Sequence, residues 1–292
     1  MSFSPRSRFF WRLLSRSLEL GKRTLVMGIL NVTPDSFSDG GRFFPQDAAA
    51  EQALQMLDEG ADSVDIGGES TRPGATPLSP AEEQARVLPV IRVVLAARPG
   101  AVLSIDTYHA ETARAAVEAG CEIVNDVSGH LWDPAMAATC AELGCGNVLM
   151  HTRGRPVEWK TQSRLAADEV WPLVLRGLQE QANAAVAAGI ARESIVLDPG
   201  FGFGKIMEEN WPLLAGLDQL RSLGYPLLAG LSRKSFLRGS RRSAEEIFDV
   251  ELATSAANMA AILAGAHILR VHEVKAARQV AEIADRVLAA SE

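Results

Sequence analysis

Apolar and polar positions alternate in two rhythms along this chain, and the rhythms take turns. Short runs rich in Val, Ile and Leu predict strands at residues 24–30, 63–66, 102–106, 123–125, 147–150, 195–198, 227–230 and 268–271. Between them the apolar positions recur with a helical period, at 47–59, 80–97, 110–119, 134–143, a long stretch within 165–188, 209–223, 247–264 and 274–289. Several of the helical stretches stop at a glycine, among them Gly60, Gly120, Gly144 and Gly265. Strand–helix alternation predicts a parallel sheet, because each return crossover needs a helix. Eight such units in 292 residues is the size of a closed (β/α)8 barrel, with a doubly wound open sheet as the alternative. Residues 1–23 precede the pattern and are expected to form a short N-terminal extension packed on the barrel, leaving 24–292 as a single catalytic domain.

The predicted strands share a second property: they end in polar groups. The first runs into Asn31, Asp35 and Ser36, the second into Gly67-Gly68-Glu69-Ser70-Thr71-Arg72, the third into Asp106, the sixth into Asp198 and the seventh into Ser232-Arg233-Lys234-Ser235. Apolar strands that repeatedly deliver such groups at their C-terminal ends indicate an enzyme whose site lies on one rim of a barrel. Asn31 offers a neutral oxygen and Asp35 a charged one, a donor set that suits a hard cation such as Mg2+; a turn-rich loop with no ligand is the alternative. Around residues 67–75, amides freed by glycine, the hydroxyls of Ser70 and Thr71 and the Arg72 guanidinium make an anion cradle that Pro73 stiffens. Asp106, Asn125 and Asp198 are costly inside a mostly apolar barrel unless they meet donors. A planar heterocycle with a guanidine-like edge supplies two parallel N–H groups to a carboxylate, and Asp198 suits that contact. Alternation puts Arg270 and His272 on one side of the last strand, where a cation and an imidazole form a phosphate clamp. Met150 at the end of the fifth strand is placed to pack on a flat ring.

Other features are read as structural. His109, His130 and His267 have no functional company in the sequence. The glycines of segment 200–204 have the wrong spacing for a dinucleotide fingerprint and follow Pro199, and Lys205 reads as a solvated loop charge. A net charge of −7 argues against a nucleic-acid partner. The basic cluster Arg6, Arg8, Arg12, Arg16, Lys22 and Arg23 reads as a solvated edge, and Arg12 and Arg16 interrupt what a signal peptide would need to be apolar. The most apolar stretch, 252–269, contains Thr254, Ser255, Asn258 and His267, and reads as a buried helix and strand rather than a membrane span. Three cysteines without a Cys-x-x-Cys pair are expected to be buried thiols in a reducing cytoplasm.

Taken together, segments 27–41, 65–75, 198–205, 231–236 and 268–272 resemble the dihydropteroate synthase family in order and spacing. The resemblance implies a TIM barrel, usually a homodimer, and the condensation of 6-hydroxymethyl-7,8-dihydropterin diphosphate with 4-aminobenzoate to 7,8-dihydropteroate and pyrophosphate. It implies a pterin pocket of Asp106, Asn125, Met150, Asp198 and Lys234, and a diphosphate site of Asn31, Thr71, Arg270 and His272. Mg2+ is expected at Asn31 and Asp35, and 4-aminobenzoate against Phe37, Ser70, Arg72, Pro73 and Ser235. Catalytic roles fall to Lys234, Asp35, Arg270 and His272 in a dissociative substitution, and sulfonamides should inhibit. Thr152, and the absence of an arginine from 247–253, depart from the family pattern without touching these residues. A pterin-dependent methyltransferase domain, which should not need segment 232–235 or the complete loop 71–74, and a non-catalytic pterin-binding paralogue, which degenerate loops would favour, are the alternative readings.

Overall fold

The computed structural model describes residues 5–33, 45–69, 77–238 and 248–291. An antiparallel hairpin, β1 (Phe9–Arg12) and β2 (Ser17–Leu20), comes first. The strands β3 (Leu25–Asn31), β4 (Ser63–Gly67), β5 (Leu103–Asp106), β6 (Ile123–Asp126), β7 (Gly146–Met150), β8 (Ile195–Asp198), β9 (Leu228–Ala229) and β10 (Ile268–Val271) then pair in parallel, in the order β8-β7-β6-β5-β4-β3-β10-β9. A parallel bridge between Leu197 and Leu227 joins β8 to the start of β9, so the sheet closes on itself as the strand count predicts.

Each strand is followed by helix: α1 (Pro45–Asp58), α2 (Pro80–Ala97), α3 (Ala110–Glu118), α4 (Met136–Leu143), α5 (Ala167–Ala187), α6 (Asn210–Ala215), the short α7 (Ser235–Arg238) with α8 (Val250–Leu263), and α9 (Val274–Ala289). Local chemistry starts several of them. Ser79 and Glu82 form a reciprocal capping box at α2, and the Asp249 carboxylate accepts from the amides of Glu251 and Leu252 at α8. The stretch expected as one helix over 209–223 is instead a 3-10 turn, the short α6 and a second 3-10 segment, Leu217–Leu223. The break lies at Gly216, where a Cβ would collide with the indole nitrogen of Trp171; that nitrogen donates to Pro212 O at 2.7 Å. The apolar stretch 252–269 divides into most of α8 and the start of β10, and among the described residues no helix is long and apolar enough to cross a membrane.

Two apolar layers hold the fold. The outer one packs the helices on the strands through residues such as Val26, Ile66, Val90, Leu149, Val174 and Leu269. The inner one fills the lower end of the barrel, where the hairpin inserts Trp11, Leu13 and Leu20 against Leu25, Met27, Ile123, Val148, Val196 and Ile268. The Trp11 indole donates to Ser194 O at 3.0 Å, which satisfies its one polar atom. Gly146 makes room for this plug: a Cβ there would lie 2.5 Å from Leu13. Nearby, Arg6 departs from the expected solvated edge. It is buried, and its guanidinium donates to Thr24 Oγ1 at 2.6 Å, Ala266 O at 2.9 Å and Asp285 at 2.6 Å. The other five cations of that cluster are exposed.

Candidate active site

Pairing register decides what meets at the upper rim. Asn31 lies opposite Gly67, Gly67 opposite Asp106 and Asp106 opposite Asn125, so three polar strand ends share one level. Across the barrel Met150 lies opposite Asp198. Above this level the barrel interior changes from hydrocarbon to charge.

Arg270 projects from β10 and bridges two carboxylates: its Nε is 2.6 Å from Asp65 Oδ2 and its Nη2 is 2.6 Å from Asp106 Oδ2. Asn125 Nδ2 donates to the same Asp65 oxygen at 2.8 Å. Asp65 thereby orients both neighbours while fully buried, and its second oxygen has no protein partner among the described residues. Burial pushes the Asp106 carboxyl up to about 7, helped by Asp65, Glu83 and Asp126 and opposed by Arg270. Burial also works against the charge on Arg270, but Asp65 and Asp106 outweigh it and hold the guanidinium above its ordinary value.

Asp198 is buried at the end of β8, and its Oδ1 accepts the Gly200 amide at 2.7 Å. Burial raises its pKa, while that amide, Lys234, Lys205 and Arg270 oppose the rise. Lys234 sits with its ammonium 4.0 Å from the centre of the Phe203 ring. Burial brings it down to about 8, against the attraction of Asp198 and Asp106. The preceding Arg233 has a left-handed backbone, φ 59°, and its side chain is tied to Glu251 at 2.5 Å and Glu273 at 2.6 Å. That tether fixes the turn from which Lys234 points. Ser232 Oγ accepts the His272 amide at 3.2 Å and lies 2.9 Å from His272 Nδ1, joining the ends of β9 and β10.

The expected pterin residues Asp106, Asn125, Met150, Asp198 and Lys234 therefore converge on one rim with Arg270 and His272. Asn31 is exposed on the same rim, and Ser235 is exposed at the start of α7. Asp35, Phe37, Ser70, Thr71, Arg72 and Pro73 lie outside the described residues. Lys205 contradicts the reading of a solvated charge: it is 3% exposed, because three carbonyl oxygens surround its ammonium. Two further residues had no role in the sequence reading. Asp65 is a carboxylate in the middle of an apolar strand, a signal that was present but unassigned. Phe203 lies in the glycine-rich segment 198–205, where the glycine pattern gives no sign of its role.

The described half of the segment after β4 is also anchored. Glu69 accepts from Tyr108 Oη at 2.7 Å and from the Leu78 amide at 3.0 Å, which ties residues 69 and 78 together. Among the described residues no three His, Cys, Asp or Glu side chains gather into a metal cage. Mg2+ does not need one, since it takes few protein ligands, and the amide oxygen of the exposed rim residue Asn31 is a fitting donor.

A family model described as pterin binding enzyme matches residues 27–272. The dihydropteroate synthase of Synechocystis sp. is 43% identical over 266 residues, covering 91% of this chain and 90% of that protein. The Xanthomonas albilineans dihydropteroate synthase solved with 4-aminobenzoic acid superposes with a TM-score of 0.86 at 41% identity, covering 97% of this chain and 99% of that one. The Yersinia pestis dihydropteroate synthase, solved as a sulfonamide drug complex, gives a TM-score of 0.86 at 38% identity, covering 96% and 100% of the two chains.

Proposed function

The chain belongs to the dihydropteroate synthase family of pterin-binding enzymes, and we infer that it condenses 6-hydroxymethyl-7,8-dihydropterin diphosphate with 4-aminobenzoate, giving 7,8-dihydropteroate and pyrophosphate. The observation that carries this reading is the charge layout of the rim. Two hydrogen-bond-accepting carboxylates, Asp106 and Asp198, stand beside two cations, Lys234 and Arg270. That is the complement of a neutral, donor-rich ring bearing a diphosphate. The relatives reported above are dihydropteroate synthases, which disfavours the methyltransferase and the silent paralogue.

In this reading Asp198 accepts two N–H groups of the pterin edge, and Asp106 and Asn125 read its other polar atoms. Met150 packs on the ring. Arg270 spends two of its five N–H donors on Asp65 and Asp106 and has the rest of its fork for diphosphate oxygens, with His272, Asn31 and Thr71. Lys234 orients both substrates from its seat on Phe203. The 4-aminobenzoate lies against Phe37, Ser70, Arg72, Pro73 and Ser235, and sulfonamides compete for that place. Asn31 and Asp35 would hold Mg2+, which when bound neutralises diphosphate charge.

The chemistry proceeds by dissociation. The C–O bond to the diphosphate breaks first, the electron pair leaves with pyrophosphate, and Arg270 and His272 stabilise the departing charge. The electron-rich pterin, held by the Asp198 carboxylate, carries the resulting methylene cation. The neutral amine of 4-aminobenzoate attacks that carbon, and its proton goes to solvent without a strong base, since an anilinium is acidic. Three buried free thiols, Cys121, Cys140 and Cys145, support a reducing, cytoplasmic setting. The test is direct: purified chain, Mg2+ and both substrates, with product followed by mass spectrometry. Dihydropteroate that forms only when both substrates are present supports the reading; bound pterin with no product refutes it.

A further inference from the structure

Lys205 is a buried cation beside the site that the reaction does not use. Its Nζ donates to His151 O at 3.0 Å, Gly200 O at 2.8 Å and Phe203 O at 3.3 Å, so all three ammonium hydrogens have acceptors. The acceptors come from two different loops, one after β7 and one after β8. Both loops also hold Asp198. The His151 amide donates to Asp198 O at 2.9 Å, and the Gly200 amide donates to Asp198 Oδ1 at 2.7 Å. These bonds close a ring that runs from Asp198 through His151, Lys205 and Gly200 back to the Asp198 carboxylate. The third bond reaches Phe203, whose ring carries the Lys234 ammonium.

The backbone is shaped to make this ring. Gly200 has φ +68°, and a Cβ on it would collide with His151 O, the same oxygen that Lys205 binds. A neutral donor could satisfy carbonyls, so the use of a charge needs a reason. Burial pulls the Lys205 ammonium down to about 7; of the charges that face it, Asp198 and Glu209 attract, and Lys234 and Arg153 repel. Arg153 is itself held by Gly204 O at 3.1 Å and lies 3.5 Å from Glu209. Asp198 is the buried carboxylate that this ammonium can serve.

We propose that Lys205 is a positioning residue for the pterin end of the site: its ammonium keeps the Asp198 carboxylate ionised and in place, and sets Phe203 beneath Lys234, without touching substrate. The proposal deepens the synthase reading and rests on it. In agreement, burial raises the Asp198 carboxyl while Lys205 is among the groups that pull it down.

The experiment compares wild type with Lys205→Met in the full chain, using pteroic acid as the calorimetric probe from acid to mildly alkaline pH, together with KM for each substrate. The expected result is a folded variant whose pteroate affinity falls about tenfold, and whose acid limb of binding moves up by about half a pH unit or more. KM rises more for the dihydropterin diphosphate than for 4-aminobenzoate, a split that a general loss of structure does not produce. Wild-type affinity and an unmoved acid limb in the folded variant overturn the proposal. Should Lys205→Met fail to fold, Lys205→Gln keeps a donor without the charge and must show the same shift; a wild-type limb there overturns it equally. A wild type that neither binds pteroate nor makes dihydropteroate instead removes the synthase reading itself.

Discussion

At the lower end of the barrel Trp11, Leu13 and Leu20 are almost completely buried among aliphatic side chains, and the charged groups around them have partners, although the buried Arg6 Nε has none among the described residues. Arg6 meets Asp285 and Thr24, and Glu122 accepts from the Ser15 amide at 2.8 Å and from Arg16 at 2.9 Å. At the upper end Asp106, Asp198, Lys205 and Lys234 are gathered into a space where burial works against their charges. Among the described residues one oxygen of Asp65 has no protein partner, and Arg233 holds a backbone conformation that side chains disfavour. The same eight strands connect the two ends. The lower end lowers the free energy of the fold, and the upper end spends part of that gain to hold charges ready for a ligand. Activity and stability should therefore respond to mutation in opposite places.

The strongest separation is expected at Asp198. Asp198→Asn keeps the shape but cannot accept two donors, and kcat/KM should fall about a thousandfold because donors of the bound pterin are left unpaired. Its melting temperature should stay level or rise, since a buried carboxylate is removed; steady-state kinetics and calorimetry on one preparation check both. The mirror-image change is Trp11→Ala, which should cost about 3–5 kcal/mol in denaturant unfolding while the folded fraction keeps its turnover. A variant that lost activity faster than stability would connect the ends more tightly than the structure does.

A third expectation concerns pH. Asp106, with its carboxyl near 7, must be ionised to accept from the pterin, so it takes up a proton and binds worse as pH falls below that value. Lys234, with its ammonium near 8, loses its charge as pH rises above that value. The profile of kcat/KM should thus be bell-shaped with its maximum between these limbs, falling about tenfold per unit on each side. Asp106→Asn should move the acid limb to lower pH, where Asp198 alone then sets it. The smallest effect is expected far from both ends: Arg114 and Glu142, 2.6 Å apart on the helical surface, form an exposed pair. Arg114→Gln should change stability by less than about 1 kcal/mol and leave the kinetics unaltered.

How far the sequence alone could go depended on whether a signal was local. Strand and helix periods are local, and β8, β10, α2 and α9 fall on the residues expected of them. Polar strand ends are local too, which is why Asp106, Asn125, Asp198 and Arg270 were picked out before any geometry. Partners distant in the chain leave no such trace. Arg6 reads as a solvated cation because Asp285, its acceptor, is 279 residues away. Asp65 has no visible purpose until Arg270 arrives from 205 residues further on. Lys205 looks exposed because its acceptors are carbonyl oxygens, which the identities of the residues bearing them do not reveal. The hairpin β1–β2 was missed for a related reason: Arg12 and Arg16 interrupt its apolar positions, and only the barrel mouth makes sense of Trp11, Leu13 and Leu20.

Turnover and melting temperature of Lys234→Met, measured beside wild type on the same preparations, probe the division of labour most directly. Methionine retains the stem over Phe203 and removes the half-buried charge. The account predicts dihydropteroate formation reduced by about a hundredfold or more, with a melting temperature unchanged or raised. Turnover near wild type, or a loss of activity that merely follows a collapse in melting temperature, would contradict it.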